Sequence, residues 1–198
     1  MMKKVVVDIY KINNLYSGLG QFSNNYKHEL IIQSKDKFDL QFLVPKSIYK
    51  TNKNKANLIQ ANFLYRYLPS FTTKVDLWHS IHQFHSHWPH PNSPLLLTTH
   101  DLNFLIEKTP IKAKAYLKKL QSNVDRANAL TAISDFTKQT MESHLDLKGK
   151  KIIKIYNGVQ FLNSEFESRP NSVNNKKFFF GLSVFKEKKN FHTLIPLM

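Results

Sequence analysis

The chain has no cysteine, and glycine is sparse, with 5 in 198 residues. The lack of thiols rules out a disulfide framework, a thiolate zinc site, a CxxC redox pair and a cysteine nucleophile. No apolar run approaches the ~18 residues needed to span a bilayer. The opening Met1-Met2-Lys3-Lys4-Val5-Val6-Val7-Asp8 meets an acid before any apolar region reaches signal-peptide length. These two features give the expectation of a cytoplasmic protein, soluble or peripheral on the inner face of the cytoplasmic membrane. Arginine is also rare, with Arg66, Arg126 and Arg169 the full set. Bidentate recognition of bases relies on the rigid guanidinium fork, so nucleic acid is not an expected partner. There is no internal repeat, heptad pattern or low-complexity tract.

What is present is apolar and basic. Hydrophobic residues make up 41% and aromatics 13% of the chain, enough apolar surface to offset the entropy of folding a domain. Lysine and arginine number 29 against 14 acids, a formal net charge of +15. The lysines are spread from Lys3 to Lys189 rather than gathered on one helix face. Such a surface suits solvation and attraction to anionic lipid headgroups or phosphorylated substrates.

Strand-like and helix-like stretches alternate. Lys4–Tyr10 is short and β-branched, Gly20–Gln33 places Phe22, Tyr26, Leu30 and Ile31 near helical spacing, and Phe38–Pro45 returns to a strand pattern ended by proline. Together they predict a β-α-β unit. Further strands are expected at Val75–His79, Pro94–His100, Ala129–Ile133 and Lys151–Tyr156, with helices at Ile111–Arg126 and Ser134–Leu145, the second capped by Ser134. Leu95–Thr99 and Ala129–Ile133 are nearly continuous apolar or Thr runs, as in strands buried on both faces. The expected architecture is α/β, a doubly wound Rossmann-like parallel sheet over residues 1–160. Residues 161–175 are polar and read as a linker, and 176–198 supply one strand, Lys177–Val184, and the opening of a helix at Lys189–Ile195.

In this architecture ligands sit outside the C-terminal ends of the strands, so the polar residues there are the candidates. Gly18 and Gly20 lie in the loop before the first helix, where backbone N–H groups and the helix dipole favour a phosphate. A dinucleotide fingerprint fits poorly, because Gly18 stands eight residues past Tyr10 and Ser23 replaces the third glycine. His100 and Asp101 follow the Leu95–Thr99 strand, and an imidazole there can donate a hydrogen bond to substrate or carry a proton. Asp101 or Asn103 would equally cap the next helix. Ser134 marks another strand-to-helix junction, and Asn157-Gly158 a tight turn. His79, His82, His85, His87 and His90 crowd one segment, but their spacing matches no metal motif and no acid lies among them. A strand end followed by a Pro-containing loop, packed by Trp78 and Trp88, accounts for the tract without a metal.

In order, SGLGQFSNN (Ser17–Asn25), DLWHS (Asp76–Ser80), TTHDLNF (Thr98–Phe104), AISDFTKQTM (Ala132–Met141), IYNGV (Ile155–Val159) and GLSVFKEKKN (Gly181–Asn190) resemble the retaining GT-B glycosyltransferases of family 4, or group 1. The resemblance implies two Rossmann-like domains facing a cleft, the N-terminal one mainly holding the acceptor and the C-terminal one the donor. It implies a hexosyltransferase-type reaction, from a nucleotide-diphosphate sugar to a glycan or lipid-linked acceptor in polysaccharide assembly. By position, Gly18 and Gly20 would approach the donor diphosphate or sugar, His100 would serve catalysis by contacting the transferred sugar, and Lys189 would pair with the diphosphate. Asp101, Ser134 and Asn157 are cleft candidates. Neither a metal nor another cofactor is implied.

Two departures from the family pattern stand out. Ser183 occupies a position where many members carry Arg, and the acidic motif of the donor domain is not reached by Met198. The donor site within these residues is therefore expected to be incomplete, with no turnover unless a C-terminal half is supplied, for example on a separate chain. Two competing readings are a non-catalytic basic module that docks on anionic membrane or polymer, and a nucleic-acid binder.

Overall fold

The computed structural model describes residues 2–35, 37–52, 57–158, 181 and 189–197. Its first strand, β1 (Lys3–Asp8), takes the extended form that a β-branched run favours. Thirteen strands and α-helices follow one another among the described residues of the larger of two units, Met1–Gly158. After β1 come α1 (Gly18–Gln33), β2 (Phe38–Val44), α2 (Lys46–Thr51), β3 (Leu58–Gln60), α3 (Phe63–Tyr67), β4 (Leu77–Ser80) and β5 (Leu95–Thr99). The unit ends with α4 (Phe104–Glu107), α5 (Pro110–Arg126), β6 (Ala129–Ala132), α6 (Asp135–His144) and β7 (Ile152–Lys154).

The seven strands form one sheet in the order β3-β2-β1-β4-β5-β6-β7, and every pairing is parallel. This is the doubly wound, Rossmann-like α/β sheet expected from the sequence. The strand order reverses between β1 and β4, and that crevice is the topological switch point where ligands bind in such sheets.

Alternation along each strand sends neighbouring side chains to opposite faces. One face carries Val6, Leu43, Trp78, Leu95, Leu97, Leu130 and Ala132, packed with Leu120 and Val124 of α5 and Met141 of α6. The other carries Val7, Leu40, Phe42 and Val44, covered by Phe22, Tyr26 and Leu30 of α1 and Ile48 of α2. Both faces of the sheet are thus covered by apolar side chains, which fixes where the strand ends lie.

Four short elements, α2, β3, α3 and α4, were not given bounds from the sequence. The first three flank the Lys- and Asn-rich stretch Thr51–Asn57, which shows neither apolar period, and α3 is started instead by Asn62, whose side-chain oxygen accepts from the Leu64 N–H at 2.9 Å. The expected Asn157-Gly158 turn includes Val159, which lies outside the described residues.

The smaller unit is Val159–Met198. The linker 161–175 and, apart from Gly181, the strand Lys177–Val184 lie outside the described residues. The expected helix opening is a 3-10 helix, Phe191–Leu197, entered by Asn190, whose carbonyl accepts from the Thr193 N–H at 3.2 Å and its hydroxyl at 2.8 Å.

Candidate functional site

Strand β5 ends in Thr99, and the next residue, His100, is held at the sheet edge from three directions. Its backbone N–H donates to Gln83 Oε1 at 3.0 Å, its carbonyl accepts from Thr137 Oγ1 at 2.9 Å, and its ring Nε2 lies 2.8 Å from the Ile81 carbonyl. A carbonyl only accepts, so Nε2 carries the hydrogen. Burial lowers the ring's pKa, so the neutral form is favoured. The donor side is therefore occupied, and Nδ1 is left as the acceptor of the neutral ring.

Ser134 sits at the end of β6 and caps α6 as expected, accepting from the Thr137 N–H at 3.1 Å. Its hydroxyl also donates to Thr137 Oγ1 at 3.0 Å, so Ser134, Thr137 and the His100 carbonyl form one hydrogen-bonded chain. Ser134 thus supports His100. Asp101 is used locally, its Oδ1 accepting from the Asn103 N–H at 3.0 Å in a turn ahead of α4. Buried Gln83 clamps the same corner, with its Nε2 donating to the Asp101 carbonyl at 2.7 Å.

The N-terminus of α1 reaches the same edge. The Phe22 ring meets His100 edge-on at 4.9 Å between centroids. Ser17 caps the helix by accepting from the Gly20 N–H at 3.0 Å. A Cβ on Gly20 would stand 1.8 Å from the Asn14 carbonyl oxygen, so glycine there is demanded by the close approach of the entry loop. A Cβ on Gly18 would meet nothing within 4 Å. By helix geometry the N–H groups of Gly18 and Leu19 have no partner in a preceding turn, which leaves donors pointing off the end of a 16-residue helix.

The structure therefore brings Gly18, Gly20, His100, Asp101 and Ser134 to one edge of the sheet. Asn157 is exposed beyond β7, the strand at the far side of the sheet. Lys189 is exposed in the smaller unit.

The histidine tract holds what the sequence reading passed over. Trp78 is buried in the core and Trp88 packs against it, as expected for a packed loop. Within that packing, His79 is buried on β4, its Nε2 2.8 Å from Thr98 Oγ1 and its Nδ1 3.2 Å from the Tyr26 hydroxyl. His82 Nδ1 accepts from the Phe84 N–H at 3.1 Å, which leaves the hydrogen of the neutral ring on Nε2. His85 Nδ1 lies 2.8 Å from the His87 carbonyl and so donates to it, which leaves Nε2 a bare acceptor. Burial lowers the pKa of His79, His82, His85 and His87 to about 4.

Asp8 ends β1 at the switch point and is 5% exposed. Burial raises its carboxyl to about 7, against the opposing pull of the Tyr10 N–H, which donates to Oδ1 at 3.0 Å, and of the Lys11 charge. Its Oδ2 lies 3.9 Å from His87 Nδ1. One signal was available in the sequence, a lone acid closing a β-branched run. Among the described residues, no three His, Asp or Glu side chains converge as a metal set.

The model of Glycosyltransferase Family 4 matches residues 23–161 of the 198. The chain belongs to glycosyltransferase family 4. The match runs from Ser23, within α1, through β7 and so includes His100, Ser134 and the histidine tract but not Gly18 and Gly20. Glycosyl transfer is the chemistry of this family, with a sugar donor and an acceptor as its partners. No curated protein matches the sequence.

Proposed function

We propose that this family-4 chain is the acceptor-side half of a retaining transferase that moves a sugar from a nucleotide diphosphate to a hydroxyl of a glycan or lipid-linked acceptor. The observation that carries this reading is the meeting of the α1 N-terminus with the His100 ring at the strand edge, through the 4.9 Å contact of Phe22. A leaving nucleoside diphosphate gains negative charge in the transition state, and amide donors at a helix N-terminus stabilise it without reorganising. Gly18 and Leu19 supply those donors. His100 Nδ1 accepts a hydroxyl of the transferred sugar and fixes its orientation. The family resemblance implies attack on the face the diphosphate leaves, with a donor phosphate oxygen taking the acceptor's proton and no protein carboxylate assigned as acid or base.

The net charge of +15 suits a lipid-linked acceptor presented at an anionic membrane face on the cytoplasmic side. Among the described residues no helix is long and apolar enough to cross a membrane. The test is incubation of the chain, joined to a C-terminal donor-binding half, with a panel of nucleotide-diphosphate hexoses and glycan or lipid-linked acceptors. Transfer with the donor's anomeric configuration kept is the expected result. Inverted product, or binding to duplex DNA with no effect of any nucleotide sugar, would overturn it.

A further inference from the structure

Four rings form a row that ends at His100. The His100 ring meets Phe22 edge-on, with centroids 4.9 Å apart and planes at 83°. Phe22 stacks on Tyr26 at 5.4 Å and 12°. Tyr26 in turn meets His79 edge-on at 5.6 Å and 83°. Phe22 and Tyr26 stand four residues apart in α1, so they lie one above the other on the helix face that packs against the sheet. The two outer rings belong to the sheet, His79 within β4 and His100 directly after β5.

The His79 end of the row is fixed by hydrogen bonds. His79 Nδ1 lies 3.2 Å from the Tyr26 hydroxyl and Nε2 lies 2.8 Å from Thr98 Oγ1, which is 2.7 Å from Thr131 Oγ1. A neutral imidazole has one donor and one acceptor, and both are used here. This chain crosses β4, β5 and β6, and its three sheet residues are buried, so losing Tyr26 from it strands a polar atom inside the protein. Tyr26 is thereby held to one orientation. The His100 end differs. Among the described residues its ring makes one hydrogen bond, from Nε2 to the Ile81 carbonyl. A single bond fixes one point of a ring and leaves the plane free to swing about it. The edge-on contact of Phe22 supplies the second constraint, an arrangement that aromatic pairs favour. His82, the other ring beside His100, is farther away at 5.9 Å.

We infer that Tyr26 is a positioning residue: anchored to His79 by its hydroxyl and stacked on Phe22, it sets the plane of the His100 ring and so aims Nδ1. Its role in sugar transfer rests on the proposed function, whereas the ring geometry can be measured without turnover.

The experiment follows the imidazole ¹⁵N and ¹H resonances of the full 198-residue chain in wild type, Tyr26→Phe and Tyr26→Leu. It then measures transfer by the same variants joined to a C-terminal donor-binding half. Tyr26→Phe keeps the ring and loses only the hydroxyl, so it is expected to move His79 most and His100 by a smaller, resolved amount. Tyr26→Leu removes the ring and is expected to move His100 further, although the link between them runs through Phe22. It is also expected to lower kcat about 5-fold, with KM for the nucleotide sugar changed less than about 2-fold. In a His100→Ala background the same change should cost nothing more, because no ring is left to aim. Unmoved His100 resonances in Tyr26→Phe would overturn the inference, whether or not Tyr26→Leu folds. So would an equal loss of rate from Tyr26→Leu with and without His100. A completed enzyme that transfers no sugar, while the resonances move as expected, would count against the transferase reading alone.

Discussion

The two strand-end regions of this sheet differ in how their polar atoms are used. At the ends of β5 and β6, Ser134, Thr137, Asp101 and His100 all have protein partners, while the buried Thr99 hydroxyl has none. Ser134 caps α6, Thr137 holds the His100 carbonyl, Asp101 closes a turn, and His100 Nε2 is bound to Ile81. At the ends of β1 and β4, two buried nitrogens have none and Asp8 keeps a carboxyl in an apolar setting. Satisfied groups build a frame, and unsatisfied ones are costly unless a ligand completes them. The first region holds the His100 ring in place, and the second carries buried groups that its own packing leaves unpaired.

The largest effect that sharpens this contrast is that of acid. His79, His82, His85 and His87 titrate near 6.5 when unfolded and near 4 when folded, so between those values the unfolded chain binds more protons and stability falls as pH falls. Asp8 works the other way between its ordinary 3.8 and about 7, where the folded state holds the extra proton. Four rings outweigh one carboxyl. Thermal melts followed by circular dichroism should therefore show Tm dropping steadily from pH 7 to pH 4, and a flat or rising Tm would break the comparison. The same linkage predicts that Asp8→Asn raises Tm at pH 8, where the wild-type carboxyl must ionise while buried, and that the gain shrinks toward pH 5. A loss of stability at pH 8 would mean that the Asp8 carboxyl supports the fold.

Next in size is Gly20→Ala. The new methyl meets backbone at 1.8 Å, and the entry loop must shift, at a cost of about 3 kcal/mol. Gly18→Ala has open space and should change stability by less than about 1 kcal/mol. Equal costs in denaturant melts would show that the loop is not packed as described.

His100→Ala, in the chain completed with a donor half, should lower transfer by about 10-fold or more while Tm changes little by comparison. An unchanged rate would remove His100 from the site. The smallest effect is that of Ser134→Ala, about 1 kcal/mol from the lost cap, with a weaker hold on His100 through Thr137. If that variant alters transfer as much as His100→Ala does, Ser134 touches substrate and the frame reading of the β5–β6 edge is wrong.

Much of this was legible from the sequence, for definite reasons. β1, β2, β5 and β6 carry long apolar or β-branched runs because both faces of the sheet are covered, and α1, α5 and α6 declare themselves by period and cap. The strand-end rule then pointed to Gly18, His100 and Ser134 on one edge. α2, α3 and β3 were hidden because elements of three to six residues show no full period. The bonding of the histidine tract was hidden for a different reason. A histidine's function depends on which nitrogen a neighbour occupies, and the bonds from Phe84 and to the His87 carbonyl exist only once the loop is folded. Asp8 likewise gains its character from burial between β1 and the histidine loop, which no spacing in the sequence displays.

The most direct test is sugar transfer by the chain joined to a C-terminal donor-binding half, wild type against His100→Ala. The account predicts product that keeps the donor's anomeric configuration and a rate at least about 10-fold lower in the variant. Inverted product, or an unchanged rate in a folded variant, would contradict it.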